Sequence, residues 1–193
     1  MKRRGFFSTL FSSSSMPEKV FFGYQLVMLE PIDGDFRRGI RELIENRSSD
    51  DSPRAKSEFY RTIADALREN FFAAEYGFWD MEEGAKAIDT FGEWVDEISE
   101  AIDAEPDEMA EVPENGFEQP DIDRISCEKN YIAVTALFLL ERSSDNTKLY
   151  QMISSLGEES VTDKYSFERL LDVFALIDFA HVSGDAVFVL PGN

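Results

Sequence analysis

The stretch YIAVTALFLL, residues Tyr131–Leu140, decides the fold of this 193-residue chain. Its ten residues carry no charge, and they include β-branched and aromatic side chains that pack well on a pleated sheet. Such a run is typical of a strand buried on both faces, although periodicity alone does not separate it from a buried helix. Because a helix needs roughly 20 apolar residues to cross a bilayer, we interpret the stretch as a central core strand.

Two further stretches predict strands of the same sheet. Val20–Leu29 (VFFGYQLVML) is an apolar run that ends at the turn-forming sequence PIDGD, residues 31–35. Ala186–Leu190 (AVFVL) is shorter, and it lies between Pro191 and a turn predicted from the sequence SGD at residues 183–185. The three stretches together predict a small sheet.

Apolar residues at spacings of three and four predict helices between these strands. The expected helices cover Phe36–Glu45, Pro53 to about Tyr76, and a third segment from a capping box at Asp80–Glu83 to about Ile102. The third helix should bury Ala87, Ile88, Phe91, Trp94, Val95, Ile98 and Ile102. We interpret both tryptophans, Trp79 and Trp94, as core residues.

Two more helices are expected after the central strand. One covers Thr147–Leu156, and another begins at a cap provided by Ser166. The run Val173–Ala180 is almost wholly apolar, so its pattern does not distinguish a helix from a strand. The order of elements predicts an α+β fold, a single domain with a small sheet of three to four strands covered by about five helices.

The composition is strongly acidic, with 39 acidic and 19 basic residues and a formal charge of −20. That charge argues against nucleic-acid binding through phosphates and against docking on anionic membranes. It favours a basic protein partner, a cation, or a well-solvated surface. The single cysteine excludes an internal disulfide, and such sparse use of cysteine predicts an intracellular, cytoplasmic protein.

The first seventeen residues differ in composition from the rest. MKRRGFFSTLFSSSSMP contains three basic residues, five serines and no acid, which leaves 16 bases and 39 acids, or −23, for the remainder. We interpret residues 1–17 as a flexible basic arm that precedes a single domain at residues 18–193. A short organelle-targeting leader is the alternative.

The predicted third helix carries a row of acids opposite its apolar side. Because they recur every three or four residues, one helix face should present Asp89, Glu93, Asp96, Glu97, Glu100 and Asp103. Like charges at these spacings cost about 0.2–0.5 kcal/mol per pair, so apolar packing must hold the helix in place. The acidity continues into a loop predicted near residues 104–124. We interpret the six carboxylates as a candidate partner-binding surface.

No motif for catalysis or for cofactor binding is present in the sequence. GxGxxG, GxxxxGK[ST], GxSxG and HExxH are all absent. The single histidine, His181, is interpreted as structural, and the acids near Cys127 disfavour a reactive thiolate. One His and one Cys exclude a structural zinc site, and no EF-hand spacing occurs. We therefore predict no catalytic, cofactor-binding or metal-binding residues.

Three stretches resemble an uncharacterised family of plastid and cyanobacterial proteins of unknown function. They are YQLVMLE at Tyr24–Glu30, the loop and helix from Asp50 to Asn70, and YIAVTALFLL. Members of that family usually have a Gly/Ser-rich basic leader and a membrane segment before this domain. Here residues 1–15 at most resemble the leader, the membrane segment is missing, and Leu190-Pro191-Gly192 replaces a closing Trp-Thr-Pro. The resemblance implies an α+β fold and no catalytic residue.

These observations predict a non-enzymatic, acidic protein–protein interaction domain. Its concrete form is an inhibitor of the immunity type, or an adaptor, that binds a basic partner protein. One alternative is a nucleic-acid mimic, in which carboxylates take the place of phosphates on a DNA-binding protein. The other alternative is an enzyme that uses Asp/Glu chemistry in an unrecognised cleft.

Overall fold

The computed structural model describes residues 18–30, 34–103, 131–143, 146, 148–152 and 164–190. Within these ranges four strands are formed, namely β1 Lys19–Leu29, β2 Ala74–Glu83, β3 Tyr131–Glu141 and β4 Val182–Leu190. They build one antiparallel sheet in the order β2-β1-β3-β4.

The helices of the described residues lie on both faces of this sheet. They are α1 Asp35–Glu45, α2 Pro53–Glu69, α3 Lys86–Asp103, α4 Lys164–Glu168 and α5 Leu171–Leu176. Residues 148–152 are also helical. The predicted α+β fold, with its small sheet and about five helices, is confirmed. None of the described helices is long and apolar enough to span a membrane.

Strand β3 contains the stretch that was predicted to be the central strand. It lies between β1 and β4, and it pairs with β1 from Leu29↔Tyr131 to Lys19↔Glu141. All residues from Ile132 to Leu140 are buried. Because successive side chains of a strand point to opposite faces, the sheet must be covered on both sides.

The main core fills one face of the sheet beneath α1, α2, α4 and α5. Its centre is a group of buried aromatic rings. Tyr60 and Phe138 lie 4.7 Å apart between ring centroids, Phe138 and Phe174 5.3 Å, and Tyr24 and Phe167 4.9 Å. Since each ring buries a large apolar area, this cluster supplies much of the driving force for folding. A second, smaller core lies on the opposite face beneath α3.

The helix predicted from Pro53 to Tyr76 is wrong in its last turns. Helix α2 ends at Glu69, where the Asn70 side chain donates a hydrogen bond to the Ala66 carbonyl at 2.9 Å. The chain then enters β2, whose register pairs Tyr76 with Val27. Sequence periodicity does not report this pairing, because it depends on a partner strand that lies far away in the chain.

The capping box predicted at Asp80–Glu83 is wrong for the same reason. These four residues end β2, where Glu82 pairs with Phe21. Helix α3 begins instead at Lys86, after Gly84, whose φ of 77° lies in the left-handed region that glycine favours. The helix ends at Asp103, close to the predicted end at Ile102.

The turn predicted at residues 183–185 is also wrong, because these residues lie inside β4. Gly184 pairs with Leu139 and Asp185 pairs with Phe138, so the strand begins four residues earlier than predicted. The sequence SGD favours a turn locally, but pairing with the buried strand β3 overrides that preference.

The segment Val173–Ala180, for which the sequence did not decide between helix and strand, forms helical turns and no strand. Helix α5 ends at Leu176, and Phe179–His181 forms a short 3₁₀ turn. The helix predicted from a cap at Ser166 is divided into α4 and α5, and Ser166 lies inside α4 rather than before it.

Several sequence predictions fall partly or wholly outside the described residues. The basic arm at residues 1–17 and the acidic loop near residues 104–124 lie there, as does Cys127. Of the helix predicted at Thr147–Leu156, residues 148–152 are described and helical. The single domain at residues 18–193 stays a prediction.

A buried carboxylate joins β4 to α2 and to the loop after α1. The Asp185 side chain is only 4% exposed, and it accepts hydrogen bonds from Lys56 Nζ at 2.5 Å, Arg47 Nη2 at 2.8 Å and Tyr60 Oη at 2.9 Å. Burial opposes ionisation of Asp185, but these three donors outweigh it and hold the pKa of the carboxyl below its usual range. The cluster therefore fixes the edge strand to the helical layer.

We expect Asp185→Asn to lower the free energy of unfolding by about 2–3 kcal/mol at neutral pH, because two cations would lose their buried partner. A group with a lowered folded pKa stabilises the protein above its unfolded pKa of about 4, and this contribution disappears as the pH falls through the folded value. Urea unfolding between about pH 3 and pH 7 measures the free energy of unfolding of the wild type and the variant. The difference between the two free energies should become smaller as the pH falls.

Asp51→Asn is the matched control for this experiment. Asp51 pairs with the same two cations, at 3.8 Å from Arg47 and 4.0 Å from Lys56, but its side chain is 81% exposed. Its replacement should change stability by less than about 0.5 kcal/mol. Equal losses for the two variants, or a difference that is independent of pH, would contradict the role given to Asp185.

Candidate partner-binding surface

Helix α3 lies on the second face of the sheet and is held there by apolar contacts. Phe21 of β1 is fully buried, and its ring centroid lies 5.6 Å from Trp94 and 6.4 Å from Phe91. Trp94 also stacks on Phe78 of β2 at 5.1 Å, with 11° between the ring planes. The aromatic residues of α3 thus bind it to two neighbouring strands.

Two glycines allow the helix to approach the sheet closely. A methyl group built on Gly23 would lie 2.7 Å from the Phe21 ring and 3.3 Å from Trp94, and one built on Gly184 would lie 3.3 Å from Phe91. Larger side chains at these positions would push the helix away from the sheet. Glycine in β1 and β4 therefore sets the distance between α3 and the strands.

Five of the six carboxylates predicted to share one face of α3 are exposed on one side of the helix. We call these five the acidic face: Asp89, Glu93, Asp96, Glu97 and Glu100. The sixth, Asp103, ends the helix, and its side chain is outside what the structure describes.

The acidic face forms no described ion pair. Several exposed carboxylates elsewhere have cationic neighbours, for example Glu58 with Arg54 at 2.9 Å and Asp172 with Arg68 at 2.8 Å. Among the residues that the structure describes, no ion pair involves α3. Its only base is Lys86, in the first turn. The negative charge of this face is therefore not neutralised by described side chains.

Two carboxylates of the edge strand β2 extend the negative surface. Asp80 lies opposite Gly23 and Glu82 lies opposite Phe21, so both point to the side of the sheet that α3 covers. Burial raises the pKa of Asp80, and the neighbouring Glu82 adds to this rise, while a backbone hydrogen bond at Met81 opposes it. The acidic surface thus continues from the helix to the sheet edge.

Ile88 is the one residue of the predicted buried side that the structure contradicts outright. It is 52% exposed, whereas Ala87 and Ile98 are buried as predicted. At about 100° per residue, Ile88 lies at the border between the apolar side and the acidic face. Gly92, one turn later, also leaves open space, since no atom lies within 4 Å of a methyl group built on it. An exposed isoleucine, which sequence analysis placed on the buried side, therefore borders the carboxylates.

The structure gives His181 a position that fits a structural role. Its Nε2 atom lies 4.0 Å from Asp178 Oδ2, and the other oxygen of Asp178 accepts a hydrogen bond from the Ala180 N–H at 3.0 Å. The carboxylate thus caps the 3₁₀ turn that carries the histidine. Within the described residues, no group of three or more His, Cys, Asp or Glu side chains could hold a metal ion.

A shallow groove between α1 and α2 offers space for a small molecule. It has a volume of about 540 Å³, and Phe36, Ile40, Leu43 and Ala66 give it apolar walls. Its ionisable lining residue is Asp35, whose carboxylate is paired with Arg38.

Comparisons of the chain with protein-family models, with curated proteins and with solved structures found no significant match. The resemblance to the plastid and cyanobacterial family stays a prediction, although its three stretches fall on β1, α2 and β3. The candidate surface is therefore defined by its own geometry and charge.

Gly23→Ala should destabilise the protein by about 1–3 kcal/mol, because the new methyl group would overlap a fully buried ring. Gly92→Ala, on the exposed side of α3, should instead stabilise it by up to about 1 kcal/mol through higher helix propensity. Thermal and urea unfolding of both variants measure these changes. A neutral Gly23→Ala would show that α3 is not held closely against the strands.

Proposed function

We propose that this protein is a non-enzymatic binding domain whose acidic face on α3 docks a basic surface of a partner protein. An inhibitor of the immunity type or an adaptor would act in this way. The observation that carries the proposal is the set of five exposed carboxylates on one helix face, without a cationic neighbour among the described side chains.

The carboxylates of the acidic face are in no described ion pair, so their negative charge is available to a basic partner. A carboxylate that already has a cationic neighbour must give up that contact before it binds a partner. Unpaired carboxylates lose only water and some side-chain freedom, so a basic partner gains more from them. The summed field of such a face also steers an oppositely charged partner and raises its association rate.

The position of the charges on a rigid element favours recognition over a merely solvated surface. Helix α3 is fixed to β1 and β2 through Phe21, Trp94 and Phe78, so its carboxylates keep a constant spacing. Repulsion along the face opposes this arrangement by about 0.2–0.5 kcal/mol per pair, and a basic partner would relieve it. The relief of this repulsion would therefore add to the free energy of binding.

Nucleic-acid mimicry is the second candidate, and the spacing of the charges favours it. From Asp89 to Glu100 the helix rises about 16 Å, at roughly 1.5 Å per residue, and carries five carboxylates. That is one charge per ~4 Å of helix axis, close to the ~3.4 Å of axis per phosphate of one DNA strand. A DNA-binding protein would then be the basic partner.

The double substitution Glu93→Gln and Glu97→Gln tests the proposal through two opposite effects. It should raise the free energy of unfolding by about 0.2–0.5 kcal/mol for each repulsive pair relieved. At low salt it should also reduce the amount of a basic partner that the wild-type protein retains from native extract. A solvated face without a partner would give the first effect and not the second.

Glu45→Gln with Glu69→Gln is the control for this variant. Both residues are exposed, both lie in helices other than α3, and neither is in a described ion pair. The control changes the net charge by the same amount, so it should retain the partner. Equal loss of the partner in both variants would mean that total charge acts, and it would remove the acidic face from the proposal.

A further inference from the structure

We infer that the outer edge of strand β2, from Phe78 to Glu83, binds an extended basic segment of the partner protein as an added strand. This inference deepens the proposed function and rests on it for the basic character of the partner. It is carried by the backbone groups of the edge, by the charge of its side chains and by its partly exposed apolar residues.

Strand β2 lies at the edge of the sheet, so it has a neighbouring strand on one side only. Its partner is β1, and no strand of the described residues pairs with its outer side. The first part of this outer side is occupied, because Lys164 Nζ donates a hydrogen bond to the Ala74 carbonyl at 2.5 Å and Gly77 is buried. All six residues from Phe78 to Glu83 are only partly buried. The accessible edge is therefore about 20 Å long, at roughly 3.3 Å per residue.

The hydrogen-bond register shows which backbone groups of this edge face outward. The Gly84 N–H donates to the Lys19 carbonyl at 2.8 Å, and these two residues continue the register of β1 and β2. Hydrogen-bonded and non-hydrogen-bonded pairs alternate along an antiparallel ladder. Every second residue of the edge therefore bonds to β1, namely Phe78, Asp80 and Glu82. The residues between them direct their N–H and C=O groups away from β1, namely Trp79, Met81 and Glu83.

Most of these outward groups have no partner among the residues that the structure describes. The N–H of Met81 hydrogen-bonds to the Asp80 carboxylate. No described hydrogen bond involves the other outward N–H and C=O groups of the edge. An extended segment laid along an edge strand pairs such groups through its own backbone, which is the usual mode of strand addition.

The charge of the edge selects the kind of segment that binds. Strand β2 contains Glu75, Asp80, Glu82 and Glu83 and no base. Asp80 and Glu82 are in no described ion pair, whereas Glu83 lies 3.7 Å from Arg142. Opposite charges on directly paired residues stabilise a strand pair, and like charges destabilise it. A basic segment therefore fits this edge. A second copy of this chain, with the same carboxylates and a formal charge of −20, does not.

The apolar residues of the edge favour a segment with alternating side chains. Phe78, Trp79 and Met81 are partly exposed, so an added strand would remove apolar area from water. Trp79 and Met81 pack against the main core, on the face opposite to Asp80 and Glu82. A segment with bases on one face and β-branched residues on the other therefore matches both sides of the edge.

Two N-methylated forms of one peptide test the inference. The peptide is acetyl-Thr-Lys-Val-Lys-Val-Thr with fluorescein at its carboxyl end, and antiparallel pairing places its lysines opposite Glu82 and Asp80. In the blocked form, methyl groups replace the amide hydrogens of the first, third and fifth residues, which would face β2. In the control form, the methyl groups are on the second, fourth and sixth residues, which would face away.

The two forms have the same composition and charge, so a purely electrostatic contact would bind them equally. By fluorescence anisotropy at low salt, the full-length wild-type protein should bind the control form at least about tenfold more tightly than the blocked form, because only the control form can donate backbone hydrogen bonds to the edge.

Amide hydrogen exchange measured by NMR locates the bound peptide. In the free protein, the amides of Trp79 and Glu83 should exchange faster than those of Phe78, Asp80 and Glu82, which are bonded to β1. Saturating unmethylated peptide should slow exchange at Trp79 and Glu83 by at least about fivefold. The amides of β4, the other edge strand, should not change.

Three results would overturn the inference: equal affinities for the two methylated forms, no binding of either form, or full protection of Trp79 and Glu83 in the free protein. Failure of the proposed function gives a different result. A peptide of ten lysines would then bind the Glu93→Gln, Glu97→Gln variant as tightly as the wild type, while the difference between the two methylated forms would stay.

Discussion

The structure depends on one constraint, the burial of its central strands on both faces. Strands β1 and β3 carry apolar side chains toward both sides, so a single helical layer would leave half of them in water. Four helices supply the main core on one side, and α3 alone covers the other. The acidic helix is therefore needed for the fold, independently of anything that it binds.

This requirement explains how a self-repelling helix is tolerated. Burying an aromatic side chain gains roughly 1.5–3 kcal/mol, whereas one like-charge pair costs about 0.2–0.5 kcal/mol. Phe91, Trp94 and Ile98 thus outweigh several such pairs, and the exposed side of α3 is free to carry acids. The fold permits the acidic face without requiring it, which is why we propose a binding role for that face.

The sequence was sufficient for features that depend on local pattern, and it failed where pairing is non-local. The central strand, the apolar side of α3 and its exposed carboxylates follow from runs and periodicity. Strand β2 and the start of β4 were missed, because AEYGFWDMEE and SGD become strands only against β1 and β3. The Asp185 cluster was missed for a similar reason, since its donors lie more than a hundred residues away.

The central claim is that the acidic face binds its partner through unpaired charge. Stopped-flow association rates of wild type and of the Glu93→Gln, Glu97→Gln variant, with the captured partner and over a range of ionic strength, test it most directly. We expect the variant to associate about three- to tenfold more slowly at low salt, and the two rates to converge above about 0.3 M salt. Equal rates at low salt would contradict the account.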